Sequence, residues 1–474
     1  MSYFGTVATG HPFTTFIGSE TLKMGGNAFD AAIAAGFAAC FSEPLLTSLG
    51  GGGILLSQSE QSQFECFDFF TNFPGLDGLP ASPNFITVDV DFSSATQSFK
   101  TGPGTIAVPG TLKGFIEIQN QKGALSLDKI LAPVIKACCT GIKISETQNY
   151  ILDILAPLAC LTVEGKSLYA PAGKLLKTGD TFKNPLYANF LKKLPKYGCE
   201  EIYSGNKLDG ILNSKDLSSY RVISETPLSF EYRDATIYSA PPPAHGGHYL
   251  KLLFSMFEKY DCQNLKWGSY EHLKSISDVL IKLEQGKGKE HFTPFTKGTT
   301  HISVSDSKSN CVSLSLTNGE GSGVFIPDTG IMLNNMLGED DLCSHDPQDW
   351  KPGHRIPSMM APSLIVRKGK SSIITGSGGS KRIRSSLLQV ISNLLDFNMD
   401  LKNAVISPRI NWDGEALQME PGFPDKSIQQ LRNEIPVSLW QNIEFYFGGT
   451  HSSVDGSEAY SDPRRGGDAM LLKM

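Results

Sequence analysis

The chain has 474 residues, 40% of them hydrophobic and 19% charged, enough to bury a large core as two or three domains or as one large layered one. A net charge of -6 without any run of Lys and Arg offers no counterion-releasing surface for a phosphate backbone, which sets nucleic acid aside as a partner. The opening MSYFGTVATGHPF lacks the basic and apolar regions of an export signal, and no segment reaches the ~18 uninterrupted apolar residues of a membrane span. The chain therefore reads as cytoplasmic as given, or as periplasmic or secreted if an export signal has been removed.

From Asn27 to Phe41 the run NAFDAAIAAGFAACF is apolar nearly all round, opens on a capping Asn and carries Asp30 three positions later, which predicts a buried helix. The next stretch, SEPLLTSLGGGGILL, breaks at Pro44 and sets four glycines, Gly50 to Gly53, before an apolar strand. A phosphate cradle would need a Lys-Ser or Lys-Thr pair and a capped helix after the glycines; neither follows, so close packing of the strand is the better account. GTLKGFIEIQNQKG and LSLDKILAPVIKACCTGIKIS predict further packed helices. SAPPPAHGGHYLKLLFSMFEKY predicts a proline elbow and an amphipathic helix, in which His245 and His248 have no carboxylate or Cys companion and read as packing or helix-start residues. The nine cysteines form no CxxC pair and read as reduced, mostly buried thiols, so neither metal nor cofactor is expected.

Residues 284–298 lose periodicity and fill with Gly, Lys, Thr and Pro, the composition of a mobile linker. It divides a long portion, 1–298, from a shorter one, 299–474. After it, TTHISVSDSKSNCVSLSLTNGEGSG alternates apolar and polar residues as two strands around a turn at Asp306 to Asn310. Centring the turn on Lys308 sets Val304 against Val312, Ile302 against Leu314 and Thr299 against Thr317. The opposite face is a strip of Thr299, His301, Ser303, Ser313, Ser315 and Thr317. Pattern alone reads it as the solvent-facing side of an antiparallel sheet. A second reading is chemical: a Thr at the start of a strand, behind a Gly-ended linker, is where a self-cleaving precursor would hold its nucleophile. A Thr hydroxyl needs a base, and cleavage between Gly298 and Thr299 would create one, an α-amine of pKa about 7.7 to 8.0.

At this point the sequence resembles the γ-glutamyltransferase family of N-terminal-nucleophile hydrolases. The motifs that carry the resemblance are GHP at Gly10 to Pro12, GGNAFDAA at Gly25 to Ala32, SLGGGG at Ser48 to Gly53, AVPGT at Ala107 to Thr111, PPPAHGG at Pro241 to Gly247, TTHISV at Thr299 to Val304, GIMLNN at Gly330 to Asn335 and DPRRGG at Asp462 to Gly467. The resemblance implies an α+β fold, a four-layer αββα sandwich built jointly by the two cleavage products, which would stay together as a heterodimer. It implies Thr299 as nucleophile, Thr317 as the second active-site threonine, and Asn318 as a substrate-binding asparagine. Asp341 or its neighbour Asp340 would bind the substrate's α-amino group, and Ser358 its carboxylate, with Met359 where the family has a second serine. Gly378 and Gly379 would form the oxyanion hole, with Ser380 as the alternative.

Two departures bear on the substrate. The arginine that clamps a glutamyl α-carboxylate belongs just after an Asp-aromatic pair, and here Asp68-Phe69 is followed by Phe70. The segment between Asp341 and Ser358 is also short, which implies a reduced lid. The expected activity is cleavage of γ-glutamyl amides through a Thr299 acyl-enzyme, with transfer to water or an amine. The alternatives are an acylase acting on a non-glutamyl amide and an inactive relative kept for binding.

Overall fold

The computed structural model describes residues 3–80, 82–91, 96–205, 207–285, 298–340 and 342–474. Two β-sheets dominate it. The first has seven strands in the order Asp468–Lys473, Tyr3–Thr9, Thr300–Asp306, Cys311–Thr317, Gly52–Gln58, Phe64–Phe69 and Ile223–Glu225. The second has six, in the order Glu458–Tyr460, Gly449–Val454, Ile373–Gly378, Ser363–Arg367, Ala235–Ser239 and Leu228–Tyr232. Strands from before and after residue 298 alternate in the first sheet and adjoin in the second, so neither stretch of chain completes a sheet alone.

Each sheet buries one face under helices. Val7, Leu55, Ile302, Val304, Val312 and Leu314 of the first sheet share a core with Ile33, Phe37 and Phe41 of helix Ala28–Ser42 and Phe115 of helix Thr111–Lys122. That first helix is buried throughout, as its all-round apolar sequence requires. It starts where Asn27 accepts from the Asp30 N–H and the Asp30 carboxylate accepts from the Asn27 N–H, a reciprocal cap. Ile237, Ile365 and Ile373 of the second sheet pack on Leu250, Phe254, Ile276 and Leu387 of helices His245–Phe257, Tyr270–Gln285 and Arg382–Leu395. A third apolar cluster, including Ile54, Leu56, Leu364 and Ile374, lies between the sheets.

The glycine run behaves as a packing device. A Cβ on Gly51 would fall 2.2 Å from the Thr317 carbonyl oxygen, so only glycine lets this strand approach so closely. The hairpin register matches the expectation, with Val304 opposite Val312 and Ile302 opposite Leu314, and Asp306 closes the turn by accepting from the Lys308 and Asn310 N–H groups.

Two expectations are corrected. The polar strip does not face solvent: His301, Ser303, Ser313 and Ser315 are 0% exposed, because the second sheet covers them. They satisfy one another and that sheet, with Ser303 Oγ donating to the His451 carbonyl at 2.9 Å and Ser313 Oγ to the Thr375 carbonyl at 2.9 Å. Residues 284 and 285 are not linker, because helix Tyr270–Gln285 runs through them, with Leu283 in its apolar stripe and Glu284 paired to Arg384. The rest of the expected linker, 286–297, lies outside the described residues, and Gly298 is buried. Among the described residues no helix is long and apolar enough to cross a membrane.

Candidate active site

Thr299 sits one residue before strand Thr300–Asp306, and Thr317 is the last residue of strand Cys311–Thr317. Thr300 pairs with Leu316, and continuing the ladder by one step brings Thr299 opposite Thr317. The Thr317 hydroxyl donates to the Gly298 carbonyl and accepts from the Gly319 N–H at 3.1 Å. The carbonyl preceding Thr299 thus already carries a hydrogen-bond donor.

From the other sheet, strand Ile373–Gly378 ends against the same spot. A Cβ on Gly378 would lie 2.2 Å from the Thr299 carbonyl oxygen, so the two backbones touch and no other residue type fits. Gly379 (φ 117°) and Ser380 (φ 50°) then turn the chain into helix Arg382–Leu395, whose first turn and favourable dipole end are delivered beside Thr299.

In front of Thr299 lies a cavity of about 290 Å³ of empty space, lined by Thr299, Thr317, Ser358, Ser380 and Glu339 and by Phe70, Met336, Leu342, Met359, Met360 and Ile383. The fold therefore brings together Thr299, Thr317, Ser358, Met359 and Ser380, with Gly378 and Gly379 adjoining. Ser358 Oγ is engaged by the Met360 N–H at 3.0 Å, which braces that turn. Asn318 is fully buried behind this wall, its backbone N–H on the Leu46 carbonyl at 3.2 Å, and does not line the cavity. Asp340 is exposed and lies 3.3 Å from His345 Nε2, away from the cavity, and Asp341 lies outside the described residues. Among the described residues the carboxylate that lines the cavity is Glu339, directly after the one-turn helix Met336–Gly338. Of the described acids of the motif GEDDL, Glu339 and Asp340, the fold puts the first at the cavity.

Phe70 occupies the wall where a clamping arginine would stand. Arg355 packs behind it and is committed elsewhere: its Nη1 donates to the Phe70 carbonyl at 2.6 Å, its Nη2 to the Asp68 carbonyl at 2.9 Å, and its Nε lies 3.1 Å from the Asp68 carboxylate.

Behind Thr299 are two charged groups to which the sequence assigned no role, Glu43 and Arg465 of the DPRRGG motif. Arg465 Nη1 donates to the Thr299 carbonyl at 3.2 Å, and Thr300 Oγ1 donates to Glu43 Oε2 at 2.8 Å. Burial pulls Arg465 down to about 9, and burial pushes Glu43 up to about 7 despite the Thr300 hydroxyl. His301, two residues after Thr299 on the same face of the strand, is held neutral by burial. Among the described residues no group of three or more His, Cys, Asp or Glu side chains converges as a metal site.

Comparison with known proteins identifies the family of the chain. The gamma-glutamyltranspeptidase family model matches residues 14–289 and 278–472. The glutathione hydrolase proenzyme of Escherichia coli (strain K12) is 27% identical over 97% of this chain and 90% of its own length. The acylase ACY 1 proenzyme of Pseudomonas sp. (strain V22) is 30% identical over 90% of this chain and 86% of its own. Among solved structures, the cephalosporin acylase from Bacillus halodurans has a TM-score of 0.84 at 21% identity, covering 99% of this chain and 96% of that one, a likeness of fold. The chain belongs to the gamma-glutamyltranspeptidase family and is an enzyme of its threonine N-terminal-nucleophile hydrolase and acyltransferase class.

Proposed function

We propose that this protein cuts itself between Gly298 and Thr299 and then acts as an acylase on amides whose acyl group is largely apolar, passing it from Thr299 to water or an amine. The observation that carries the reading is the hydrogen bond from the Thr317 hydroxyl to the Gly298 carbonyl, next to the hydroxyl-bearing Thr299. Attack by Thr299 Oγ1 on that carbonyl places negative charge on an oxygen that already has a donor, and the resulting ester is hydrolysed by water. The freed α-amine then serves as the base for its own hydroxyl. In turnover the substrate carbonyl would sit over Thr299 with its developing oxyanion toward the backbone N–H groups of the Gly378 to Ser380 turn. In this reading the two products, 1–298 and 299–474, remain one αββα sandwich, because their strands share both sheets.

The substrate class rests on the cavity wall. Phe70, Met336, Met359, Met360, Leu342 and Ile383 favour apolar surface, and Arg355 is locked behind Phe70 rather than presented to a carboxylate. A second reading, a γ-glutamyl amide, is favoured by Glu339 and Ser358, which could receive an α-amino and a carboxylate group. A chromogenic panel decides between them: γ-glutamyl, glutaryl and aliphatic acyl anilides offered to the self-cleaved enzyme. Preferential turnover of the aliphatic anilide supports the first reading, and preferential turnover of the γ-glutamyl anilide rejects it. A chain that stays uncut on denaturing gels, or a Thr299→Ala variant that is still cut or still turns over, rejects self-cleavage by Thr299.

A further inference from the structure

Arg464 and Arg465 are sequence neighbours with opposite surroundings. Arg464 is neutralised, its Nη2 lying 2.6 Å from Glu420 and its Nη1 3.1 Å from Asp462. Asp462 is further occupied by Arg409 at 2.6 Å. Arg465 is equally buried, at 4% exposed, yet its Nε and Nη2 have no hydrogen-bond partner among the described residues, and its guanidinium lies on the Phe445 ring at 3.8 Å. Among the described residues its guanidinium hydrogen-bonds to the Thr299 carbonyl, through Nη1. A buried cation so weakly compensated is costly unless its charge is used.

We propose that Arg465 is a positioning residue that holds Thr299 by its carbonyl and, by its charge, keeps the newly formed Thr299 α-amine unprotonated, with Glu43 as the opposing charge. The inference rests on the self-cleavage reading. A residue's own nitrogen lies about 3 Å from its carbonyl oxygen, so the guanidinium sits within roughly 6 to 7 Å of the amine. At that distance, in an effective dielectric near 20, a unit charge shifts an amine pKa by about one unit or more. The direction is downward, which leaves more of the amine as free base at neutral pH.

Glu43 opposes this from the helix side of the sheet, where it follows helix Ala28–Ser42 and accepts from Thr300, the residue after the nucleophile. With its carboxyl pushed up to about 7, it is only partly ionised at neutral pH and does not cancel Arg465, which at about 9 stays charged. The other described groups facing this region are Arg382 from the helix it opens, Glu339 across the front cavity, the mutually neutralising Arg409, Arg464, Asp462 and Glu420 behind, and His11, His301 and His451, all held neutral by burial. Glu43 and Arg465 also line a separate cavity of about 570 Å³ of empty space that shares no residue with the one in front of Thr299. The pair therefore acts on the nucleophile without touching substrate.

The test is the acid limb of kcat/KM against pH, which reports the amine in the free enzyme. It is read on self-cleaved wild type, Arg465→Met, Arg465→Lys and Glu43→Gln with the best anilide of the panel. Arg465→Met should move the limb up by about one pH unit, Arg465→Lys should leave it in place, and Glu43→Gln should move it down. A purely structural role would lower kcat with no such movement, and a limb that stays put in both Arg465→Met and Glu43→Gln overturns the proposal. If Arg465→Met stays uncut, the limb of Glu43→Gln decides: a downward move supports the proposal and an unmoved limb overturns it. An uncut wild-type chain overturns the self-cleavage reading and this inference together, whereas a cut, active wild type whose limb ignores the substitutions overturns this inference alone.

Discussion

Thr317 uses one oxygen twice, donating to the Gly298 carbonyl and accepting from the Gly319 N–H. If that donor stabilises the oxyanion of self-cleavage, Thr317→Ala should slow appearance of the two fragments by about 100-fold, the scale of losing one such donor. Thr317→Ser, which keeps the hydroxyl, should stay near the wild-type rate, and a gel time course on freshly purified precursor checks both. Phe70 is the corresponding residue for specificity. Phe70→Arg would place a guanidinium on the cavity wall opposite Ser358 and Met359. It should raise the ratio of γ-glutamyl to aliphatic anilide turnover by about tenfold or more, the scale of one charge-assisted contact; an unchanged ratio would show that this wall does not read the acyl group.

At the scale of the element, the hairpin Thr300–Thr317 has two faces with different fates. Its apolar face meets helix Ala28–Ser42, and its hydroxyl face is sealed by the second sheet. Ser313, like Ser303, ties the two sheets, donating to the Thr375 carbonyl at 2.9 Å and accepting from the Ser363 N–H at 3.0 Å. Ser313→Ala leaves two buried backbone groups unpaired, so a loss of about 1 to 3 kcal/mol is expected, read as a lower urea midpoint with cleavage before Thr299 preserved. The hairpin itself was legible in the sequence because alternation and a turn centred on Lys308 are local properties. The burial of its polar face was not, since it depends on strands fifty and more residues further along the chain. The same holds for Glu339: it and Asp340 look equivalent in the sequence, and only the fold puts Glu339 at the cavity wall and Asp340 beside His345.

Across the whole molecule, burial of histidine sets the response to acid. His11, His272 and His451 are each lowered to about 4 by burial, and burial holds His301 well below the usual imidazole range as well. A depressed folded-state value means that the unfolded chain takes up protons first as pH falls. The stability these groups carry is therefore complete above about pH 6.5 and is lost progressively toward pH 4. Glu43, raised to about 7, and the carboxyls of Asp68, Glu225, Asp455, Glu458 and Asp468, also raised by burial, work in the opposite direction, while Asp462, held low, adds to the loss in acid. Urea midpoints measured across that window should fall by the equivalent of about 3 kcal/mol or more, and a flat profile would contradict the neutral burial of these rings.

By itself the sequence determined the buried capped helix, the glycine approach, the hairpin register and the pairing of Thr299 with Thr317, because each follows from neighbours along the chain or one turn away. Only the tertiary structure decided that the hydroxyl strip is interior, that Glu339 rather than Asp340 lines the cavity, that Arg355 is locked behind Phe70, and that Arg465 reaches the Thr299 carbonyl. The physical reason is that both sheets are assembled from strands on either side of residue 298. What faces Thr299 is thus set by segments remote in sequence, and packing and charge compensation between them leave no periodic trace.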